Sequence, residues 1–352
     1  MTAENTLPLR DQRLDVARGV AIIAIVLVHV VRGLEAAGLV DTTVKVMTDR
    51  AVGLWCLSVF AFIGGAFVPR SVAKVGVREY LLDRVGRFAI VYLLWSVLQG
   101  GLHLLAGGEA NHRRTSIAQV FEFWRPDGQL WYLPFLIGVM VVFVPMQPWL
   151  PKRAPWVLLI AAVPSLICWG FDGGFIGKQG IGLIVFFVAG MVAGTAKIQA
   201  FLDRFSTLGA AVISLVVLPV SAVVCIRTSA IPPTYYWFDA TPSRLVIGVV
   251  LSVVTLPAIL LFGHAAQRVS FLARCGRQSL DIYLAHVILA AGTRVVLLML
   301  GIHQVWLILV LSVAAGVIGS LMIATACRRI GVGWIFDGPN LTAWVSSRPG
   351  AP

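Results

Sequence analysis

Ten apolar stretches, at 16–34, 52–68, 88–105, 130–145, 155–169, 180–194, 208–225, 245–262, 280–300 and 304–326, alternate with short polar gaps along the 352 residues. Runs of about 20 residues are what a helix needs to cross a hydrocarbon layer of about 30 Å. The pattern predicts an all-α integral membrane protein, a bundle of about ten transmembrane helices. Several runs are short and Pro164 and Pro219 can kink two of them, so nine to eleven crossings fit the pattern. About 150 residues remain for loops and tails, too few for an appended soluble catalytic domain of ordinary size. The expected organisation is one transmembrane domain over 1–340 and a short cytoplasmic tail at 341–352.

Composition agrees: 59% of residues are hydrophobic and 12% charged, where a soluble domain carries about a quarter charged residues. The net charge of +12 would invite a nucleic-acid partner in a soluble chain. Here the basic residues lie between the apolar runs, which is the signature of the positive-inside rule, and no nucleic-acid partner is expected. With ten spans, eighteen of the 28 Lys and Arg fall on the N-terminal side and ten on the other. Both termini are therefore expected in the cytoplasm, with 36–50 and 106–129 facing out. The first run is not a cleaved signal peptide, because it carries Arg18, His29 and Arg32. Gly190 and Gly194 form a GxxxG that predicts close helix packing. Cys56, Cys168, Cys225, Cys275 and Cys327 make no CxxC or Cys/His cluster, so neither a metal site nor a disulfide framework is expected.

An ionisable residue inside a membrane span is costly and is a functional candidate by default. On the first span, eleven residues separate Arg18 from His29, which turns a helix to within about 20° of three full turns and climbs roughly 16 Å. Both side chains share a face, with Asp15 one turn below Arg18 and Arg32 one turn above His29. A second stripe runs along the ninth span through Ser279, Tyr283, His286 and Arg294, and His286 lies near His29 in depth. The alternative for either histidine is a structural hydrogen bond to a neighbouring helix. Asp281, off that stripe, is expected to answer a loop arginine such as Arg277. Arg84, Arg87, Trp131 and Tyr132 complete the candidates, although paired arginines and paired aromatics also serve as orientation signals and interfacial anchors. The chain has no GxSxG, HExxH, Walker loop, GxGxxG or His-x4-Asp pattern.

The run RLDVARGVAIIAIVLVHVVRG, with Arg18 and His29, resembles the first helix of the acyltransferase-3 family of polytopic membrane acyltransferases. SVFAFIGGAFVPRS from Ser58, DRVGRF from Asp83, GQLWYLPFLIG from Gly128 and GRQSLDIYLAH from Gly276 follow in family order. Two positions depart from the pattern: Gly64 stands where a serine is frequent, and Val91 where a proline usually follows the basic pair. The resemblance implies an O-acyltransferase of the inner or plasma membrane that moves an acyl group, often acetyl, from acyl-CoA as co-substrate to a hydroxyl of a glycan, lipid-linked sugar or small acceptor. No bound cofactor is implied. His29 would be the general base, or else carry a transient acyl group. Arg18 would meet the donor phosphate or thioester, and Arg84 and Arg87 would clamp further phosphates. Asp15 would orient Arg18, His286 and Tyr283 would support the base, and Trp131 and Gln129 would line the acceptor or acyl path. The expected partners are acyl-CoA, the acceptor, membrane lipids and a separate periplasmic protein for any later step. A secondary transporter or flippase using the same His/Arg stripe is the competing reading.

Overall fold

The computed structural model describes residues 11–106, 116–171, 173–234 and 240–339. Each of the ten apolar stretches falls on helix, and no strand occurs among the described residues. Eight helical segments are long and apolar enough to cross a membrane. The remaining stretches form the shorter apolar helices Gly128–Phe143 and Ala154–Ile167. The expected ten spans thus resolve into eight long segments and two short ones. The 341–352 tail lies outside the described residues.

The chain begins with α1 (Arg13–Ala36). The second long segment is broken into α2 (Thr42–Gly53), α3 (Cys56–Ala66) and α4 (Val68–Val75). Residues expected simply to face outward at 36–50 therefore contain most of a helix, and Asp49 on α2 ties it back to Arg32 of α1 at 2.8 Å. A turn at Gly76, φ 87°, leads into α5 (Val77–Ala106). Next come α6 (Ile117–Val120), a 3-10 turn at Gly128–Trp131, α7 (Tyr132–Phe143) and α8 (Ala154–Ile167), the last started by Pro155, whose fixed φ suits a first helical turn. They are followed by α9 (Ile184–Leu202), α10 (Thr207–Thr228) and α11 (Pro242–Ala265). Ser206 and Thr241 cap α10 and α11 by accepting from the amides of Gly209 and Arg244. The last segment is α12 (Ser270–Arg277), α13 (Ser279–Met299), α14 (Val305–Ala314), a π turn at Ala315–Gly319, α15 (Ser320–Arg329) and α16 (Trp334–Asp337).

Helix α1 sits inside this bundle, packed by α2, α3, α11, α12, α13 and α14. Its closest approach is to α12, where a Cβ on Gly276 would overlap the Asp15 carbonyl and one on Gly19 the Leu272 carbonyl. With no water to expel between apolar helices in lipid, such close van der Waals packing of small residues is what holds them together. The same device joins α3 to α9 through Gly65, against the Phe187 carbonyl, and Gly190, against the Phe62 carbonyl. The GxxxG expectation is half met. Gly190 is a packing residue, but Gly194 adopts φ 60° and ψ 164°, a Cβ there would meet nothing within 4 Å, and it kinks α9 instead.

Because backbone cannot retreat as a flexible side chain can, Gly190→Val should abolish monodisperse protein in detergent. Gly138→Ala on α7, where a Cβ would meet nothing within 4 Å, should leave both yield and melting midpoint unchanged. Fluorescence-detected size exclusion with a heating series checks both.

Candidate active site

The rotation that the α12 contact gives α1 turns one stripe of that helix, Asp15, Arg18, Ile22, Ile25, His29, Arg32 and Ala36, onto a single cavity of about 1500 Å³. Successive steps of three and four residues are the period of one helical face, so the sequence stripe and the observed wall coincide. Ordinary small-molecule pockets span about 300–1,000 Å³. This one has room for two substrates. Its lining runs from Arg84, Arg277 and Arg328 at the face where α1 begins to Arg32, Asp49, His103 and Arg294 at the opposite face.

Of the expected site residues, Asp15, Arg18, His29, Arg84, Gln129, Trp131 and Tyr283 line this cavity. Arg18 donates to the Ser279 hydroxyl at 2.7 Å and lies 5.8 Å from the Phe60 ring centroid, inside cation–π range. Asp15 lies 3.9 Å from Arg277. The carboxylate expected to answer Arg277, Asp281, instead takes both guanidinium nitrogens of Arg328 at 2.8 Å, a bidentate pair that brings the end of α15 to the start of α13. Arg328 also holds Asp337 of α16 at 2.7 Å. The two arginines beside α5 are separated in role by geometry. Arg84 reaches the cavity wall, whereas Arg87 is ion-paired to Asp83 one turn earlier at 2.6 Å.

His286 is fully buried and does not form part of the wall; it stands behind His29, with ring centroids 5.1 Å apart and planes at 65°. Its Nδ1 lies 2.8 Å from the Ile282 carbonyl and 2.9 Å from the Tyr283 carbonyl. Carbonyls only accept, so Nδ1 carries the proton and Nε2 keeps its lone pair, with no hydrogen-bond partner. One turn earlier, Tyr283 donates to the Gln129 carbonyl at 2.7 Å and so pins the 3-10 turn that presents Gln129 and Trp131. Tyr132, a candidate for which interfacial anchoring is the alternative, is buried against the cavity, and its hydroxyl has no partner.

Sequence reasoning missed His103 and Asp127, whose Nδ1 and Oδ2 lie 2.9 Å apart at the far end of the cavity. The rule that flagged His29, an ionisable group in an apolar span, applies equally to His103. Its partner could not have been read out, because 23 residues separate the two in sequence. Gly64 lines the cavity, and a Cβ there would stand 3.6 Å from the Phe187 ring, an ordinary contact.

A helical bundle with an imidazole and a guanidinium on one wall of a cavity that runs between its two faces defines the class as a membrane protein with an internal binding cavity. The particular family follows from comparison: the model of the acyltransferase-3 family, described as Acyltransferase domain, matches residues 11–325, and the chain belongs to that family. It is a multi-pass membrane acyltransferase. No curated protein and no solved structure matches it significantly.

Gly64→Ser should fold as well as the parent, since the added atoms enter cavity space and serine is the better helix former by a few tenths of a kcal/mol. An unchanged or slightly raised melting midpoint in detergent is the expected result.

Proposed function

We propose that the protein is an O-acyltransferase that takes an acyl group, commonly acetyl, from acyl-CoA at the face where α1 begins and delivers it to an acceptor hydroxyl reached from the opposite face, with His29 as general base. The observation that carries the reading is the common wall: Arg18 near one end and His29 about three turns along the same face, both on one cavity large enough for donor and acceptor together. The N-terminal face is then cytoplasmic, a reading the excess of Lys and Arg on that side supports, and the membrane is the cell's inner or plasma membrane.

In this mechanism Arg84 and Arg277, at the mouth, meet donor phosphates, and Arg18, held by Ser279, faces the thioester carbonyl. His29 accepts the acceptor's hydroxyl proton as the oxygen attacks the thioester carbon. The C–S bond breaks, and the CoA thiolate leaves and takes up a proton. His286 acts through His29 as a positioning residue: its ring packs edge-on against that imidazole, 5.1 Å between centroids, and limits how far His29 can turn from the acceptor. Arg87, already paired with Asp83, supports the mouth electrostatically more than it grips phosphate.

Losing a general base costs about 10²- to 10⁴-fold in rate, whereas losing a hydrogen bond between membrane helices costs only about 0.6 kcal/mol. His29→Gln should therefore abolish acyl transfer by purified protein while leaving its yield and acetyl-CoA binding intact. Transfer at near the parent rate would make His29 structural, and an acyl mass increment on the parent protein that disappears in the variant would mark an acyl-histidine intermediate. Arg84→Ala should raise the donor KM more than it lowers kcat, because a phosphate contact persists from ground state to transition state, and Lys at that site should rescue only in part. Steady-state kinetics with varied acetyl-CoA separates the two effects.

A further inference from the structure

The far half of the cavity has two features that donor binding and the base do not use. One is polar. His103, 9% exposed, lines the wall, and Asp127, 8% exposed, stands against its Nδ1. A buried carboxylate beside one ring nitrogen fixes the tautomer and the ring plane, which leaves the imidazole as an oriented polar group on the wall. Beside it, Gln129 donates to the Gln99 carbonyl oxygen at 3.0 Å, and the Gln129 Oε1 and Gln99 Nε2 are buried without partners. Reversing both amides only exchanges which atoms are left over, so the pair keeps unspent hydrogen-bonding capacity in either assignment. A buried polar atom without a partner carries a desolvation cost that a bound hydroxyl would relieve.

The other feature is apolar. Cavity-lining residues on α13 include Val287, Ala291, Gly292, Val295 and Val296, and Leu102 lines it from α5, one residue before His103. Val296 is 54% exposed and Leu102 36%, so these residues belong both to the cavity and to the outer surface of the bundle. They sit in helices apolar enough to lie in a membrane. Helix α5 packs on α4, α6 and α7, and α13 on α1, α14 and α15; the elements the two share are α16 and the turn at 128–131. The cavity therefore reaches the side of the bundle between the outer halves of α5 and α13, where lipid and not water would meet it.

We propose that this half of the cavity is a two-part acceptor site for a glycolipid: His103, oriented by Asp127, and Gln129, backed by Gln99, hold the polyhydroxylated head, while the hydrocarbon chain leaves sideways between α5 and α13. Trp131, on the same wall and on the turn that carries Gln129, offers a ring face to the sugar. The assignment rests on the acyltransferase reading for the identity of the acceptor, but the site itself is testable by binding alone.

The probe is dodecyl β-glucoside carrying a diazirine in its alkyl chain, with diazirine-bearing dodecanol as the headless control, added to the full-length protein in phosphatidylcholine nanodiscs. After photolysis, peptide mapping should concentrate glucoside label on 95–106 and 287–299. His103→Gln and Asp127→Asn should each lower that label roughly tenfold, the loss expected when about 1.4 kcal/mol of head recognition goes, with dodecanol labelling unchanged. Ala291→Trp, which fills the exit, should remove both labels there. Glucoside label spread over all lipid-facing helices in the parent protein, or unaffected by the two polar variants, would overturn the site. His29-dependent acyl transfer with evenly spread label would overturn this site alone; concentrated label without any transfer would overturn the catalytic reading alone.

Discussion

The contact between the backbones of α1 and α12 is the constraint from which the site follows. Gly19 and Gly276 each lie where a side chain would overlap the other helix's carbonyl, so the two helices meet in one register and one rotation. That rotation aims the Arg18–His29 stripe at the cavity. It also places α13, which continues directly from α12, so that Ser279 meets Arg18 at one level and His286 meets His29 about two turns higher. A helix free to rotate by a third of a turn would put an imidazole and a guanidinium against neighbouring apolar helices, at a cost of several kcal/mol.

Charge in the interior is managed by pairing across elements far apart in sequence. Arg328 joins the ends of α13, α15 and α16 through Asp281 and Asp337, Arg32 joins α1 to α2 through Asp49, and Arg294 donates to the Gly33 carbonyl. Buried ion pairs add little net stability because desolvation offsets attraction, but breaking one leaves an uncompensated charge. They act here as register marks at the two rims of the cavity. Between the rims the cavity walls are mostly apolar.

The family match and the geometry contribute different things: the first gives the chemistry, the second a cavity with ionisable side chains on its wall. The family model spans residues 11–325 and implies acyl transfer as chemistry; the cavity supplies the imidazoles of His29 and His103, guanidinium groups and volume for two substrates. Gly64 is informative because it shows how the chain departs from the serine frequent in the family. The position faces the cavity, while the packing function of that helix belongs to the neighbouring Gly65.

The apolar runs and the three-to-four-residue stripe of α1 were legible in the sequence because a helix repeats the same φ and ψ at every residue, so which side chains share a face is decided locally. For the same reason the departures are instructive: α2 formed where only an outward segment was expected, and Gly194 kinks a helix that its GxxxG spacing assigned to packing. What only the tertiary structure decided is who meets whom. Asp281 took Arg328 and left Arg277 to Asp15, Arg84 and Arg87 parted company, His286 went behind His29 instead of beside it on the wall, and His103 found Asp127 across 23 intervening residues. Those choices lie between partners of nearly equal local merit. They are settled by the depth and rotation at which whole helices dock, which a local pattern does not contain.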